Sequence, residues 1–390
     1  MKRIGILTYF TDIPYFNDVN PGMNLQAYSV LKALSNQYPN SQVEFIRYHS
    51  WWAEWRPYIS GMTFDSLLQD IKQFWKYYRF SSKFPRSKRA LVTKSRNKAF
   101  KFFNSLNYDA IYVGSDTLLE LFRFDSNEVS PYWLNGEVIG KKFLLAASAR
   151  ETSIGGLSLN QIRLLKESVL SFDRLGVRDA STFSLVQNFL PQDDPRLEIV
   201  PDPTFSLEID YAPAQVYLKK RQIQELEKPI VCFHLVKTNL FAHQLADVFR
   251  KDGYMVVSLR PAPYADIVLK DLSPLEFAGI FKYFDFVITH RFHDSVFCLK
   301  NLCPFLLFLP SPSYSNENGD SKQSFLMESF GLKDENFIED INVLSPLEIR
   351  EYAKRATLNF EAKKQIIEQK LHDLGDDFCN YLKITASLID

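Results

Sequence analysis

The sequence has little cysteine and none in a paired spacing. Cys232, Cys298, Cys303 and Cys379 are the four among 390 residues, and no CxxC occurs. Three of them lie in or beside apolar segments, where a free cysteine behaves as a small hydrophobe, so a reduced, cytosolic chain is expected. Net charge is also lacking: Lys+Arg and Asp+Glu stand at 46 each, which removes the global electrostatic case for nucleic-acid binding. No apolar run approaches the ~20 residues that span a bilayer; the longest dense one is Pro304 to Pro310. The opening MKRIGILTYF has a short apolar stretch and no small-residue cleavage site, so it does not read as a signal peptide. Neither GxxxxGKS/T nor GxGxxG occurs, so the usual nucleoside-triphosphatase loop is absent.

What is present is a strand–helix alternation that runs twice. At roughly 100–200 residues per domain the length suits two or three domains, and 46% hydrophobic with 24% charged residues can build a large core. β-rich apolar runs at 3–9, 41–48, 109–113, 142–147, 174–177 and 197–200 predict strands; near-helical spacing at 22–34, 157–170 and 180–189 predicts helices between them. The alternation resumes with strands at 229–236, 254–259, 285–289 and 304–309 and helices at 242–251, 274–283 and 295–301. Ser273 stands as N-cap before Pro274, and Gly253 fits the residue that ends a helix. Two long helices, 346–356 and 358–382, are expected at the end. Such alternation predicts an α/β fold with two mostly parallel sheets in Rossmann-like domains. The proline-flanked stretch 201–228 places the boundary near residue 205, which sets a first domain at 1–205 and a second at 206–390.

One stretch, 71–108, breaks the pattern. It holds no acidic residue and eleven basic ones: Lys72, Lys76, Arg79, Lys83, Arg86, Lys88, Arg89, Lys94, Arg96, Lys98 and Lys101. Phe74, Trp75, Tyr77, Tyr78, Phe80 and Phe84 are interleaved. It reads either as a solvated helical face or mobile loop, or as a surface for an anionic partner such as a lipid-diphosphate sugar carrier or an acidic membrane leaflet. Single-stranded nucleic acid would suit the same composition, but nothing else in the chain supports it, so no nucleic-acid partner is expected. The 15% aromatic content is read as core filling, though exposed aromatic faces of sugar-handling proteins give the same composition.

In parallel sheets ligands bind beyond the carboxyl ends of strands, so the residues after each strand are the candidates. They are Asn20-Pro21-Gly22 leading to Gln26; Gly114-Ser115-Asp116; Arg178-Asp179; Asp202 between two prolines; and Thr289-His290-Arg291-Phe292-His293-Asp294. The last cluster is the most specific. Arginine offers planar donors matched to phosphate and carboxylate, a helix start adds free N–H groups, and imidazole gives up a proton near neutral pH. Each of the others has a plain alternative: a cap or turn at Asp116, a surface pair at Arg178-Asp179, a rigid turn at Asp202, loop punctuation at Asn20 and Gly22. His290 and His293 have a spacing that suits zinc, but no Cys, Asp or Glu cluster supplies the remaining ligands, so no metal is expected.

Together these clusters resemble the polysaccharide pyruvyl transferase family. Asn20 to Val30 is similar to its N-x-G-x-x-L-Q-A-Y-A-L opening, Val113 to Asp116 to its GSD after a strand, and Gly176 to Asp179 with Ser181 to its S-V-R-E-x-S. Val200 to Thr204 resembles its L-D-P-T, and Arg291-Phe292-His293 its R-L-H. The motifs keep the family's order. Two departures stand out: Thr117 and Leu118 replace its Gln and Trp, and Asp294 replaces its Gly or Ala. The Asp294 side chain would narrow the approach to the helix start or pair with an arginine.

The resemblance implies a GT-B-like fold with the active site in the inter-domain cleft. It implies phosphoenolpyruvate as donor and, as acceptor, a sugar of a surface glycan or capsule, free or lipid-carrier-linked. The enzyme would then work in the cytoplasm, in peripheral contact with the inner membrane face. It also implies roles: His293 as acid, Arg178 and Arg291 as donor binders. His290, Asn20, Gly22, Gln26 and Ser115 join them as substrate-binding candidates. The chemistry suits these residues: His293 protonates the methylene carbon, a sugar hydroxyl attacks, phosphate leaves and a second hydroxyl closes the ketal. No step requires a metal or nucleotide, so no cofactor is expected. Asp116 and Asp202 are equal candidates for the carboxylate that takes the hydroxyl proton. Two other readings compete. One is a nucleotide-sugar glycosyltransferase, with Glu276 as its ribose carboxylate; the other is a non-catalytic binding component of glycan assembly.

Overall fold

A computed structural model describes all residues except 13–18, 51–63, 122–123, 126, 151, 224–226, 236–239, 310–320 and 390. The chain forms two compact units. The first comprises Met1–Arg56, Tyr78–Leu207 and Leu374–Asp390; the second comprises Pro57–Tyr77 and Glu208–Asp373.

The first unit is built on seven parallel strands: β1 (Arg3–Leu7), β2 (Gln42–His49), β3 (Arg86–Val92), β4 (Ala110–Val113), β5 (Lys141–Ala147), β6 (Arg174–Val177) and β7 (Leu197–Ile199). They lie in the order β3-β2-β1-β4-β5-β6-β7. Helices α1 (Pro21–Gln37), α3 (Arg96–Asn104), α4 (Leu159–Ser171) and α5 (Ala180–Gln187) connect them; α2 (Phe64–Ser81), which precedes β3, counts with the second unit up to Tyr77. Apart from the edge strand β3, the strands are largely apolar and buried because both faces are covered. Successive residues point to opposite sides: Ile111 and Val113 join one core with Phe103, Trp133 and Leu165, while Ala110 and Tyr112 join the other with Val30, Phe45 and Phe378.

The second unit repeats the plan with six parallel strands. These are β8 (Ile230–His234), β9 (Met255–Ser258), β10 (Ile267–Val268), β11 (Phe286–Thr289), β12 (Phe305–Phe308) and β13 (Phe337–Ile338), in the order β10-β9-β8-β11-β12-β13. Its helices are α6 (Ala212–Lys220), α7 (Leu240–Lys251), α8 (Pro274–Ile280), α9 (Phe292–Lys300), α10 (Lys322–Ser329), α11 (Lys333–Asn336) and the long α12 (Pro346–Ser387). Ser273 caps α8 reciprocally with Glu276, and Gly253 takes the left-handed conformation that ends α7.

Three expectations differ from the structure. The two terminal helices are one, because the segment 356–358 is Ala-Thr-Leu and contains neither glycine nor proline to break it. Its last turns, from Leu374, count with the first unit, where Tyr381 Oη donates to Leu144 O at 2.5 Å and accepts from Gly176 N at 2.9 Å. A Cβ on Gly176 would sit 2.7 Å from the Tyr381 ring, so only glycine admits that docking. The basic stretch, read as a helical face or a loop, is helical at the end of α2 and in α3 but also contains the edge strand β3. Finally, α9 starts at Phe292 rather than Ser295, which puts His293 and Asp294 in its first turn.

In each unit the strand order reverses direction beside its first strand, between β1 and β4 and between β8 and β11. Crevices outside the carboxyl ends of strands at such reversals are where open parallel sheets bind ligands.

Candidate functional site

At the carboxyl edge of the first sheet, carboxylates collect around Arg178. β6 delivers Arg178 and Asp179, and β7 delivers Asp202. Arg178 Nη1 donates to Asp202 Oδ2 at 2.9 Å, and both side chains are buried. The other Asp202 oxygen accepts from Thr204 N at 3.0 Å and Thr204 Oγ1 at 2.6 Å. Burial opposes the Arg178 charge, but Asp202, Asp116 and Asp179 outweigh it and hold the guanidinium more firmly protonated than usual.

Asp116 follows β4 through Gly114, whose φ of +133° and approach to Leu145 O, 2.0 Å from where a Cβ would sit, admit only glycine. Asp116 is half-buried, and its Oδ1 accepts from Thr117 N at 2.8 Å. Thr8, just past β1, donates to Ser115 O at 2.8 Å. On α1, Asn20 is the N-cap and accepts from Met23 N at 3.2 Å. Gly22 and Gln26 are buried on the same helix. Several buried polar atoms here make no hydrogen bond within the described protein: both amide atoms of Gln26, Ser115 Oγ and Asp179 Oδ2.

The second sheet's edge is built differently. β8 ends at His234 and β11 at Thr289, which pair side by side. Buried Asp294, in the first turn of α9, receives His234 Nδ1–H at 2.6 Å and Thr289 Oγ1–H at 2.6 Å. Thr289 Oγ1 in turn accepts from Arg291 N at 3.0 Å, and Arg291 Nη1 lies 3.5 Å from His234 Nε2. Burial, reinforced by Arg291 and Arg260, holds His234 below the usual imidazole range in spite of Asp294. Asp294 itself stays low: burial would raise it, but His234, Arg291 and the Thr289 hydrogen bond prevail. A neutral imidazole therefore donates to an ionised carboxylate and keeps Nε2 toward Arg291. His290 donates from Nδ1 to His234 O at 2.9 Å; burial, then His234 and Arg291, lower its pKa to about 4. Arg291 is the N-cap residue of α9 and makes no side-chain cap. Half-buried His293 follows in the first turn, its ring edge-on to Phe292.

The structure thus brings Asp116, Arg178 and Asp202 together in the first unit, with Asn20, Gly22 and Gln26 on α1 and Ser115 beside Asp116. It places His290, Arg291 and His293 in the second. Among the described residues no group of three or more His, Cys, Asp or Glu is arranged to hold a metal. Glu276 is committed elsewhere: its Oε2 accepts from Ser273 N at 2.7 Å and from Lys76 Nζ at 2.8 Å. Sequence reasoning missed His234 and Arg260, although His234 ends a predicted strand and the rule applied to the other strands would have marked it. Asp294, expected to narrow the helix start or pair with an arginine, anchors His234 and Thr289. In the basic stretch, Arg86 Nη1 pairs with buried Asp12 at 2.7 Å and Arg96 donates to Trp133 O and Ser168 Oγ, each at 2.9 Å. Lys72, Arg79, Lys83, Lys88, Arg89, Lys94, Lys98 and Lys101 are exposed. No helix among the described residues is long and apolar enough to cross a membrane.

The polysaccharide pyruvyl transferase family profile matches residues 20–312. No curated protein sequence matches the chain. Solved structures resemble it in fold. The trehalose-6-phosphate phosphatase N-terminal domain of Candida albicans superposes with a TM-score of 0.54 at 10% identity, covering 99% of this chain and 97% of that one. UDP-GlcNAc 2-epimerase from Methanocaldococcus jannaschii gives 0.52 at 10% identity, with 91% of each chain covered. Anabaena Alr3699/HepE in complex with UDP gives 0.51 at 8% identity, with 99% and 98% covered. At such identities the likeness is one of fold alone, and the fold is α/β and GT-B-like.

Proposed function

The chain belongs to the polysaccharide pyruvyl transferase family, and from that premise we propose that it moves an enolpyruvyl unit from phosphoenolpyruvate to a sugar of a surface glycan, closing a pyruvate ketal. The observation that carries this reading is Arg291. It has no carboxylate partner among the described residues, stands at the start of α9, and has His293 two residues on. A planar cation at a helix start suits a phosphate or carboxylate, and an imidazole next to it suits proton transfer to the bound donor.

On this reading Arg291 and the α9 start bind the donor, and His293, as imidazolium, protonates its methylene carbon. The neighbouring carbon becomes cationic and a sugar hydroxyl adds to it. Phosphate then leaves, and a second hydroxyl closes the ring. Of the two candidate bases we assign Asp116. Both oxygens of Asp202 are already engaged by Arg178 and Thr204, whereas Asp116 is half-buried and reachable. The orphaned polar atoms of Gln26, Ser115 and Asp179 suit sugar hydroxyls, since a buried polar group left unpaired costs about 1–3 kcal/mol. Arg178, buried and paired with Asp202, holds that carboxylate in place.

The test is phosphate release from phosphoenolpyruvate across a panel of glycans, free and carrier-linked. Release that requires one glycan class is expected. Thermal stabilisation by nucleotide sugars alone, with no response to phosphoenolpyruvate, would overturn this reading in favour of a glycosyltransferase.

A further inference from the structure

Resting on that reading of the second sheet as the anion-binding side, we propose that Arg260 is a second anion-binding residue, closing with Arg291 around one phosphate or phosphomonoester dianion over the end of β8. β9, β8 and β11 lie side by side, with Ser258 opposite Phe233 and Thr289 opposite His234. Arg260 and Arg291 each follow a strand-ending hydroxyl residue by two positions. Ser258 Oγ accepts from Arg260 N at 3.2 Å, and Thr289 Oγ1 accepts from Arg291 N at 3.0 Å. The two arginines therefore leave the same edge from strands that flank β8, roughly 10 Å apart at two strand spacings. Long side chains leaning inward can close that span. Their charges already act on one another and on His234, which lies between them.

The second observation concerns counter-ions. The second unit has six arginines. Arg221 pairs with Asp271, Arg250 with Asp247 and Asp266, Arg350 with Asp252, and Arg355 with Glu335. Arg260 and Arg291 alone among these make no ion pair with a described carboxylate. The carboxylate whose charge acts on both, Asp294, is spent on His234 and Thr289. Two guanidinium groups thus share one neighbouring carboxylate and repel each other, an arrangement that a dianion would relieve. Planar guanidinium forks match phosphate oxygens two at a time.

Inorganic phosphate is the probe, titrated into the full chain by calorimetry at low salt. Wild type should bind it saturably, and Arg260→Gln should weaken binding about tenfold, the loss of one charge-assisted hydrogen-bond set. Arg260→Glu should abolish it. Arg250→Gln removes the same charge from an already paired position and should leave the affinity unchanged. Wild-type affinity in Arg260→Gln, equal weakening in Arg250→Gln, or no saturable phosphate binding by wild type would each overturn the clamp. The clamp and the transferase reading fail separately. Phosphoenolpyruvate turnover with unaltered kinetics in Arg260→Gln sinks the clamp alone. Phosphate binding that depends on Arg260, in a protein that never turns over phosphoenolpyruvate, upholds the clamp and sinks the transferase reading.

Discussion

The edge of the first sheet gathers three carboxylates around one arginine; the edge of the second gathers two arginines around one carboxylate. Both edges come from the same strand order, so topology does not distinguish them. Charge does. Arg178 is buried and matched by Asp202, with Asp116 and Asp179 close enough to over-neutralise it, which makes a region suited to hydroxyl groups and proton acceptance. Arg291 and Arg260 are more exposed and lack such partners, and the one carboxylate beside them is held by a neutral histidine. That region is suited to an anion. The two units share one strand plan and differ in which sign of charge is in excess at the strand ends; on the proposed function the first would face the acceptor and the second the donor.

The sharpest way to break this contrast is at His293. His293→Ala should lower phosphate release about 10²–10⁴-fold, the usual worth of a general acid, with little change in melting temperature. Near wild-type turnover would remove the acid from the second edge. Next comes Arg178→Ala, which leaves Asp202 buried without its cation and should cost about 3–5 kcal/mol of stability, measured by denaturant unfolding. Arg291→Lys should instead leave stability unchanged and weaken donor binding about tenfold, since a point charge replaces a fork. Equal stability losses at the two arginines would erase the contrast between the two edges.

Acid should weaken both units. Burial lowers His49 to about 4 in the first unit and His290 to about 4 in the second. The unfolded chain takes up these protons near pH 6.5 while the folded chain resists until about 4. Stability is therefore present above pH 6.5 and is lost as pH falls through that window. Phosphate sharpens the comparison: it should raise the His290 pKa, read by NMR titration, and leave His49 where it is. The smallest effect is expected at the basic stretch. Neutralising Lys83, Lys88 and Arg89 should reduce binding to anionic vesicles by a few-fold, at up to about 1 kcal/mol for each residue near the surface. Arg86 is left intact in this test because it holds Asp12. Unchanged vesicle binding would make the stretch a solvated face.

Strand and helix positions were legible along most of the chain, because a buried parallel strand reads as an apolar run and caps such as Ser273 act within three residues. The site clusters were legible for the same local reason: Gly114-Ser115-Asp116 and Thr289 to His293 stand at strand ends, where the sheet's own geometry exposes them. β3 was not legible. Its sequence, RSKRALV, is charged because it is an edge strand with solvent on one side, and the carboxylate that its Arg86 meets, Asp12, lies 74 residues earlier. Nor could one sequence show that α12 would run unbroken into Tyr381, since no local signal marks which distant surface receives a helix.

Local physics thus wrote the α/β alternation, the helix caps and the placing of polar clusters after strands directly into the order of residues. Tertiary structure decided which of those clusters share a charge. His234 meets Asp294 across 60 positions, and Arg178 meets Asp202 across 24, because parallel pairing sets separate strand ends side by side. A hydrogen bond or a Coulomb interaction depends on distance in space, and only the folded sheets convert separation along the chain into that distance.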